Sequence, residues 1–320
     1  MEKKLNKKNG CESRVDTFIM ERLPGMVEER LTGLPVKGIY ARKVLKNNGV
    51  RYRGIYVELE QADMTPCIYA DPYLPADTSG LQNEEDWNSI ADRMARDICF
   101  ALSRADSGIV KEIGQEGIPD HLELELINKK KNAELLKKVP HRNFLDLAII
   151  LVWTVSVDGR RGVIKVNDEV MTLLEADFDE LFEAAFENVR RRYSVKIAPV
   201  DDVVEDLSGI RPMPVDSGLY LMTLEGRTGG GIAMLYPEMT RELYERIGEP
   251  YYLIPSSIHE VLAVSRSIEM EWRDVRNMIC EVNREVLSPE DVLSDSLYIY
   301  DPEKGKISLM TEKKEAEYQG

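Results

Sequence analysis

The sequence predicts an α+β fold, with mixed, mostly antiparallel sheets, hairpins and packed helices. Three observations carry this. Turn signals join neighbouring apolar strands directly, at Asn47-Asn48-Gly49, Asp158-Gly159 and the segment DPEKGK at 301–306. Long amphipathic helices, such as Asn83–Arg104 and Asp177–Arg192, interrupt those strands without regular βαβ alternation. The bulk composition, 43% hydrophobic and 31% charged, is that of a globular chain.

Residues 1–12, polar and lysine-rich, read as a disordered end. From Ser13 to Leu31 apolar residues recur at helical spacing, and Pro24-Gly25 predicts a kink or two helices. Val36–Leu45 and Val50–Leu59 pair as a hairpin, followed by a short strand over Thr65–Ala70 and a loop over Asp71–Gly80. Asn83, with Glu84, Glu85 and Asp86 behind it, starts a helix to Arg104. This makes a first α-β-β-β-α unit over 13–117.

A second unit, β-α-β-β-α over 118–200, takes in an alternating strand at His121–Ile127 and a short helix at Asn132–Lys138. It continues with a buried strand at Phe144–Val157, a strand at Gly162–Val166 and the helix from Asp177. Residues 201–216, rich in Pro and Asp, read as a linker. A third unit, 217–310, reads β-β-α-β-β-α-β-β. Its strands are Leu219–Leu224, Ile232–Leu235, Tyr251–Ile254, Val261–Val264, Leu297–Tyr300 and Lys306–Leu309, and its helices Pro237–Ile247 and Glu271–Val286. Residues 311–320 read as a disordered end.

Charge and cysteine content exclude several functions. The 320 residues carry 42 Lys and Arg against 57 Asp and Glu, a net charge of −15. Phosphate neutralisation needs a dense basic face, so general nucleic-acid binding and adhesion to anionic lipid are not expected. Cys11, Cys67, Cys99 and Cys280 form no C-x-x-C pair. The N-terminus lacks the apolar core of a secretory signal. The longest apolar stretch, Leu145–Val157, is too short for a membrane span. A cytoplasmic protein without cofactor or metal is the expectation.

Few constellations offer chemistry. IPSSIHEV places Ser256, Ser257, His259 and Glu260 together, and Ser257, His259 and Glu260 are the candidate nucleophile, base and acid of a hydrolase. No G-x-S-x-G elbow accompanies them, and a turn with locally satisfied hydroxyls explains them better. Gly229-Gly230-Gly231 lacks the Lys-Ser/Thr of a phosphate loop and reads as a hairpin turn. The acids at Asp177, Asp179, Glu180 and Glu183 lack the spacing of a calcium loop and suit the start of a helix. Nothing fixes a magnesium site on Asp71, Asp201 or Asp202. His121, His141 and His259 have no zinc-ligand spacing. The runs Lys129–Lys131 and Arg190–Arg192 read as solvated ends. Fourteen tyrosines, with Tyr69, Tyr73, Tyr251, Tyr252, Tyr298 and Tyr300 near strand ends, suit a protein-contact surface.

Six stretches taken together carry a family resemblance: KNNGVRYRGIYV at 46–57, PCIYADPY at 66–73, VPHRNFLDLAIIL at 139–151, GGGIAMLYPEMTRELYERIG at 229–248, YYLIPSSIHEVL at 251–262 and EVNREVLSPEDVLSDSLYIYD at 281–301. They resemble the bacterial family known as domain of unknown function 5688, over about residues 13–305. The resemblance implies a bacterial cytoplasmic protein, sometimes found near mobile elements. It brings no catalytic residue, because the family has no established activity. The leading expectation is a non-enzymatic module that binds a protein partner. The alternatives are a hydrolase acting through the Ser256–Ser257–His259–Glu260 segment, and a small-ligand binder with a site between the second and third units.

Overall fold

The computed structural model describes residues 14–60, 65–81, 83–104, 119–157, 160–174, 176–209, 218–226 and 229–319. The expected disordered end at 1–12, the Asp158-Gly159 turn and residues 210–216 of the expected linker lie outside them. The chain divides into two compact units. The first comprises residues 1–46, 50–114 and 156–161; the second comprises 47–49, 115–155 and 162–320.

The first unit is a two-layer sandwich. Two helices, α1 (14–21) and α2 (Leu23–Glu28), are separated at Arg22, two residues before Pro24, as the Pro24-Gly25 pair predicts. Pro24 sits in the first turn of α2, where its missing N–H leaves no hydrogen bond unmade. The hairpin strands β1 (Val36–Leu45) and β2 (Arg51–Leu59) pair antiparallel, with β3 (Cys67–Tyr69) on the far side of β2. The third helix, α3 (Glu84–Arg104), begins with three acids at its positive dipole end.

Strand alternation sends Ile39, Ala41, Ile55, Val57 and Ile68 to one face of this sheet. They meet Ile19, Leu23 and Val27 from the first two helices, and Trp87, Ile90, Met94 and Ile98 from α3. Phe18 and Trp87 stack with ring centroids 4.1 Å apart. The same alternation puts Tyr40, Arg42, Tyr52, Tyr56, Cys67 and Tyr69 on the opposite face. Gly54 lies in their midst. A Cβ there would come within 2.7 Å of Cys67 Sγ, so the face packs closely around this glycine.

The second unit holds two sheets. In one, β4 (Leu122–Asn128) and β5 (His141–Phe144) flank β6 (Leu147–Val157) antiparallel, and β7 (Arg160–Lys165) also pairs with β6. The single strand expected at Phe144–Val157 is therefore broken. Leu145 adopts a positive φ of 55°, and Asp146 accepts hydrogen bonds from the Tyr298, Ser294 and Ser296 hydroxyls. A helix, α4 (Asp168–Leu174), follows on the Asn167 side chain, which accepts the Val170 N–H. The expected helix α5 (Phe178–Arg192) is capped by Asp177, and its apolar stripe of Leu181, Phe182, Ala185 and Val189 is buried.

The other sheet runs β13-β12-β10-β11-β9-β8, antiparallel at every junction. Its strands are β8 (Val195–Pro199), β9 (Leu219–Leu224), β10 (Tyr251–Ile254), β11 (Glu260–Ser265), β12 (Tyr298–Asp301) and β13 (Lys306–Leu309). Three helices lie between or after them: α6 (Val200–Ser208), α7 (Pro237–Ile247) and α8 (Trp272–Glu285). The last helix, α9 (Glu312–Gln319), closes the described chain.

Four further expectations change. The Asp-rich start of the 201–216 stretch is helix α6, with Asp201 and Asp202 in its first turn and Gly209 ending it in the left-handed region. Ile232–Leu235 belongs to a 3₁₀ helix, Gly230–Leu235, rather than a strand. Asn132–Lys138 forms turns with one 3₁₀ turn at Leu135–Lys137. Residues 312–319, expected disordered, are helical.

Candidate functional site

The Ser257–His259–Glu260 segment joins β10 to β11. Ser257 forms an isolated bridge with Val292, and only 1% of its surface is exposed. Its hydroxyl oxygen accepts the main-chain N–H of His259 at 3.0 Å. The His259 ring is engaged on both sides: Nδ1 accepts the Gly229 N–H at 3.2 Å, and Nε2 faces Asp291 Oδ1 at 3.4 Å. Glu260 opens β11, opposite Thr223. The hydroxyl thus caps a turn and the ring ties two loops together, an arrangement that closes a fold rather than polarising a nucleophile.

The glycine run explains itself sterically. Gly229 adopts φ 82°, a left-handed turn. A Cβ on Gly230 would meet Thr223 Oγ1 at 2.1 Å, and His259 O and Leu224 N at 2.6 Å each. The run is neither a phosphate loop nor a simple hairpin turn. It lets the chain pass against β9 and the His259 segment.

The other polar candidates are mostly spent in structure. Asp71 accepts the Arg53 N–H and forms a two-point pair with its guanidinium, with Nη2 at 2.6 Å and Nε at 3.1 Å. Asp179 and Glu183 share Arg142. Arg190 pairs with Glu238, and Arg192 reaches the Asp120 carbonyl and the buried Glu123. Among the described residues no cluster of three or more acidic, Cys or His side chains is placed to hold a metal ion.

The tyrosines divide. Tyr251 and Tyr298 are fully buried; Tyr252 and Tyr300 are nearly so. Tyr251 stacks on Tyr300 and donates to the Thr240 carbonyl, while Tyr298 donates to Asp146. Tyr252 packs with Trp272 and Ile279 of α8. These four are withdrawn from the surface reading. They lie in central strands of the six-stranded sheet, whose two faces are both covered, so their rings fill the core.

Tyr69 and Tyr73 remain accessible, and they share a cleft in the first unit. Its volume is about 650 Å³, and its walls are Cys67, Ile68 and Tyr69 of β3, Pro72 and Tyr73 just beyond it, and Arg93, Arg96 and Asp97 of α3. The Tyr73 hydroxyl donates to Asp97, and its carbonyl accepts from Arg93 Nη2 at 2.6 Å. The Arg93 guanidinium also lies over the Tyr73 ring, 5.6 Å from its centre. Lys46 Nζ sits 4.2 Å from the centre of Tyr69, and Arg42 caps Tyr40 on the adjoining sheet face.

Proton chemistry in the cleft is muted. Burial pushes the Cys67 thiol above its ordinary range, partly offset by the Tyr56 hydroxyl and Lys46. Burial and the neighbouring Asp97 carboxylate push the Tyr73 phenol further up. At neutral pH both groups keep their protons, so the thiol is a poor nucleophile and the phenol a hydrogen-bond donor. The rings of Tyr69 and Tyr73 and the guanidiniums of Arg93 and Arg96 are side chains that can hold an anionic or aromatic group.

Sequence reasoning reached Tyr69 and Tyr73 but missed Arg93, Arg96 and Lys46. The available signal was the i, i+3 spacing of the two arginines on the polar side of α3, opposite Trp87 and Met94.

Among the described residues no helix is long and apolar enough to cross a membrane. No curated protein and no solved structure matches the chain. Residues 16–302 match the model of the family of unknown function DUF5688, and the chain belongs to that family.

Proposed function

We propose that this chain is a non-enzymatic binding module that docks a protein partner in the cleft between β3 and α3. One observation carries the reading. In a chain with 15 more acidic than basic side chains, two tyrosines and two arginines converge on one open cleft of the first unit. Tyr and Arg are the side chains that most often anchor protein interfaces. The muted acid–base character of Cys67 and Tyr73, and the double engagement of the His259 ring, support binding over catalysis. A bacterial cytoplasmic setting, sometimes beside mobile elements, goes with this proposal, and the free thiols Cys67, Cys99 and Cys280 suit a reducing compartment.

The test compares proteins retained by the wild-type chain with those retained by Tyr73→Ala and Arg93→Glu, from host extract, by quantitative mass spectrometry. Arg93 is exposed, so Arg93→Glu should leave the thermal midpoint near that of wild type; Tyr73 packs partly on the core, so a melt of Tyr73→Ala recorded alongside separates lost packing from lost docking. A partner retained stoichiometrically by the wild type and lost from both variants is the expected result. Identical retention profiles would overturn the assignment of the cleft.

A further inference from the structure

We infer that the partner enters the cleft as an extended acidic segment that adds a strand to the open edge of β3. This rests on the protein-docking reading above and names the chemistry of what docks.

The backbone supplies the first argument. β3 is the last strand of its sheet, paired with β2 through Gly54–Tyr69, Ile55–Ile68 and Tyr56–Cys67. Val57 donates its N–H to the Pro66 carbonyl at 2.9 Å, and Ala70 donates to the Arg53 carbonyl at 2.8 Å. Main-chain groups of an antiparallel strand alternate in direction. Pro66, Ile68 and Ala70 therefore face β2, and the N–H and C=O groups of Cys67 and Tyr69 face away from it. Among the described residues nothing bonds to these four groups. Edge groups of this kind are a template for another strand.

The cleft supplies the second. It runs along that same edge, with α3 as its other wall. An added strand would place its main chain against Cys67 and Tyr69 and alternate side chains toward α3.

Charge supplies the third. Many arginines elsewhere in this acidic chain find carboxylates, among them Arg53 with Asp71, Arg142 with Asp179 and Arg246 with Glu242. Among the described residues Arg93 and Arg96 form no ion pair; they contact the carbonyls of Tyr73 and Asp92 instead. Asp97, the one acid in the cleft, is occupied by the Tyr73 hydroxyl. Unpaired guanidiniums beside an open strand edge fit Asp or Glu at alternate positions of the incoming segment.

The experiment selects binders from a displayed library of random dodecapeptides on the purified full chain, alongside a single-stranded oligothymidylate and the partner found by the extract comparison. Enriched peptides should carry Asp or Glu at alternate positions and avoid proline between them. Arg93→Glu with Arg96→Glu should weaken them about tenfold or more, and a Cys67→Pro variant, which removes one edge N–H, should weaken them at an unchanged thermal midpoint. If Cys67→Pro fails to fold, N-methylation of the selected peptides at alternate residues tests the same hydrogen bonds from the other side. Enrichment of amphipathic helical or basic peptides, no enrichment, tighter binding of the oligonucleotide, or indifference to charge reversal would each overturn strand addition. A partner still lost from Tyr73→Ala in those cases would leave the docking reading standing; the absence of any cleft-dependent partner would remove both.

Discussion

Gly230 shows how much one missing side chain decides. Its Cβ position is already filled by Thr223 Oγ1 and by main-chain atoms of His259 and Leu224. Main chain cannot swing aside as a side-chain tip can, so we expect Gly230→Ala to destabilise the protein by about 1–3 kcal/mol. Chemical denaturation measures this, and a midpoint equal to that of wild type would contradict the packing argument. The glycine run itself is conspicuous in the sequence, but its purpose is not, because the atoms it avoids come from residues 223 and 259. The histidine is a parallel case. Its neighbours Ser257 and Glu260 gave it the look of a catalytic group, whereas its ring partners, Gly229 and Asp291, lie thirty or more positions away.

At the scale of elements, the β12–β13 hairpin rests on a carboxylate. Asp301 accepts the N–H groups of Glu303 and Lys304 at 3.1 Å and the Lys304 ammonium at 2.8 Å. The Lys304 hydrogen bond, opposed by burial, holds its carboxyl below the ordinary range. A depressed carboxyl stabilises the fold at pH above its unfolded value, near 4, and loses that contribution as pH falls through the lower folded value. The thermal midpoint of Asp301→Asn should therefore lie below that of wild type at pH 7 and converge with it as the pH drops below about 4; a constant gap would show that charge plays no part. This hairpin was legible because DPEKGK is a local turn signal between two apolar strands. So were Val36–Leu45, Leu219–Leu224, Pro237–Ile247 and Tyr251–Ile254, whose limits agree with the structure to the residue. Elements went unread where the local pattern was short or mixed. Val195–Pro199 is five residues and ends in proline, and it is a strand because β9 pairs with it. Asp146 breaks the long apolar run because three hydroxyls from residues 294–298 converge on it.

For the whole molecule, bulk charge and local charge point in opposite directions. The chain carries −15, which repels an acidic partner at long range, while Arg93 and Arg96 attract one at contact. Screening removes the first before the second, because the Debye length falls from about 30 Å at 0.01 M salt to about 10 Å at 0.1 M. Affinity for an acidic segment should rise with salt at low ionic strength, pass through a maximum and then fall. A titration across a salt series checks this; a steady decline from the lowest salt would mean that the overall charge is not felt in the cleft.

Composition and periodicity were enough to determine the class of fold, because apolar spacing and turn chemistry are local properties that each element carries in its own residues. The family was legible for the same reason, since its motifs are contiguous. The cleft was half legible: PCIYADPY announces Tyr69 and Tyr73, but their arginines come from a helix twenty residues on. Which tyrosines face solvent was not legible at all. Tyr251 and Tyr73 look alike as residues near strand ends; one fills a core because both faces of its sheet are covered, and the other stays open because nothing described pairs with the far edge of β3. Coverage of a face and vacancy of an edge are relations between distant segments, and only the tertiary structure decides them.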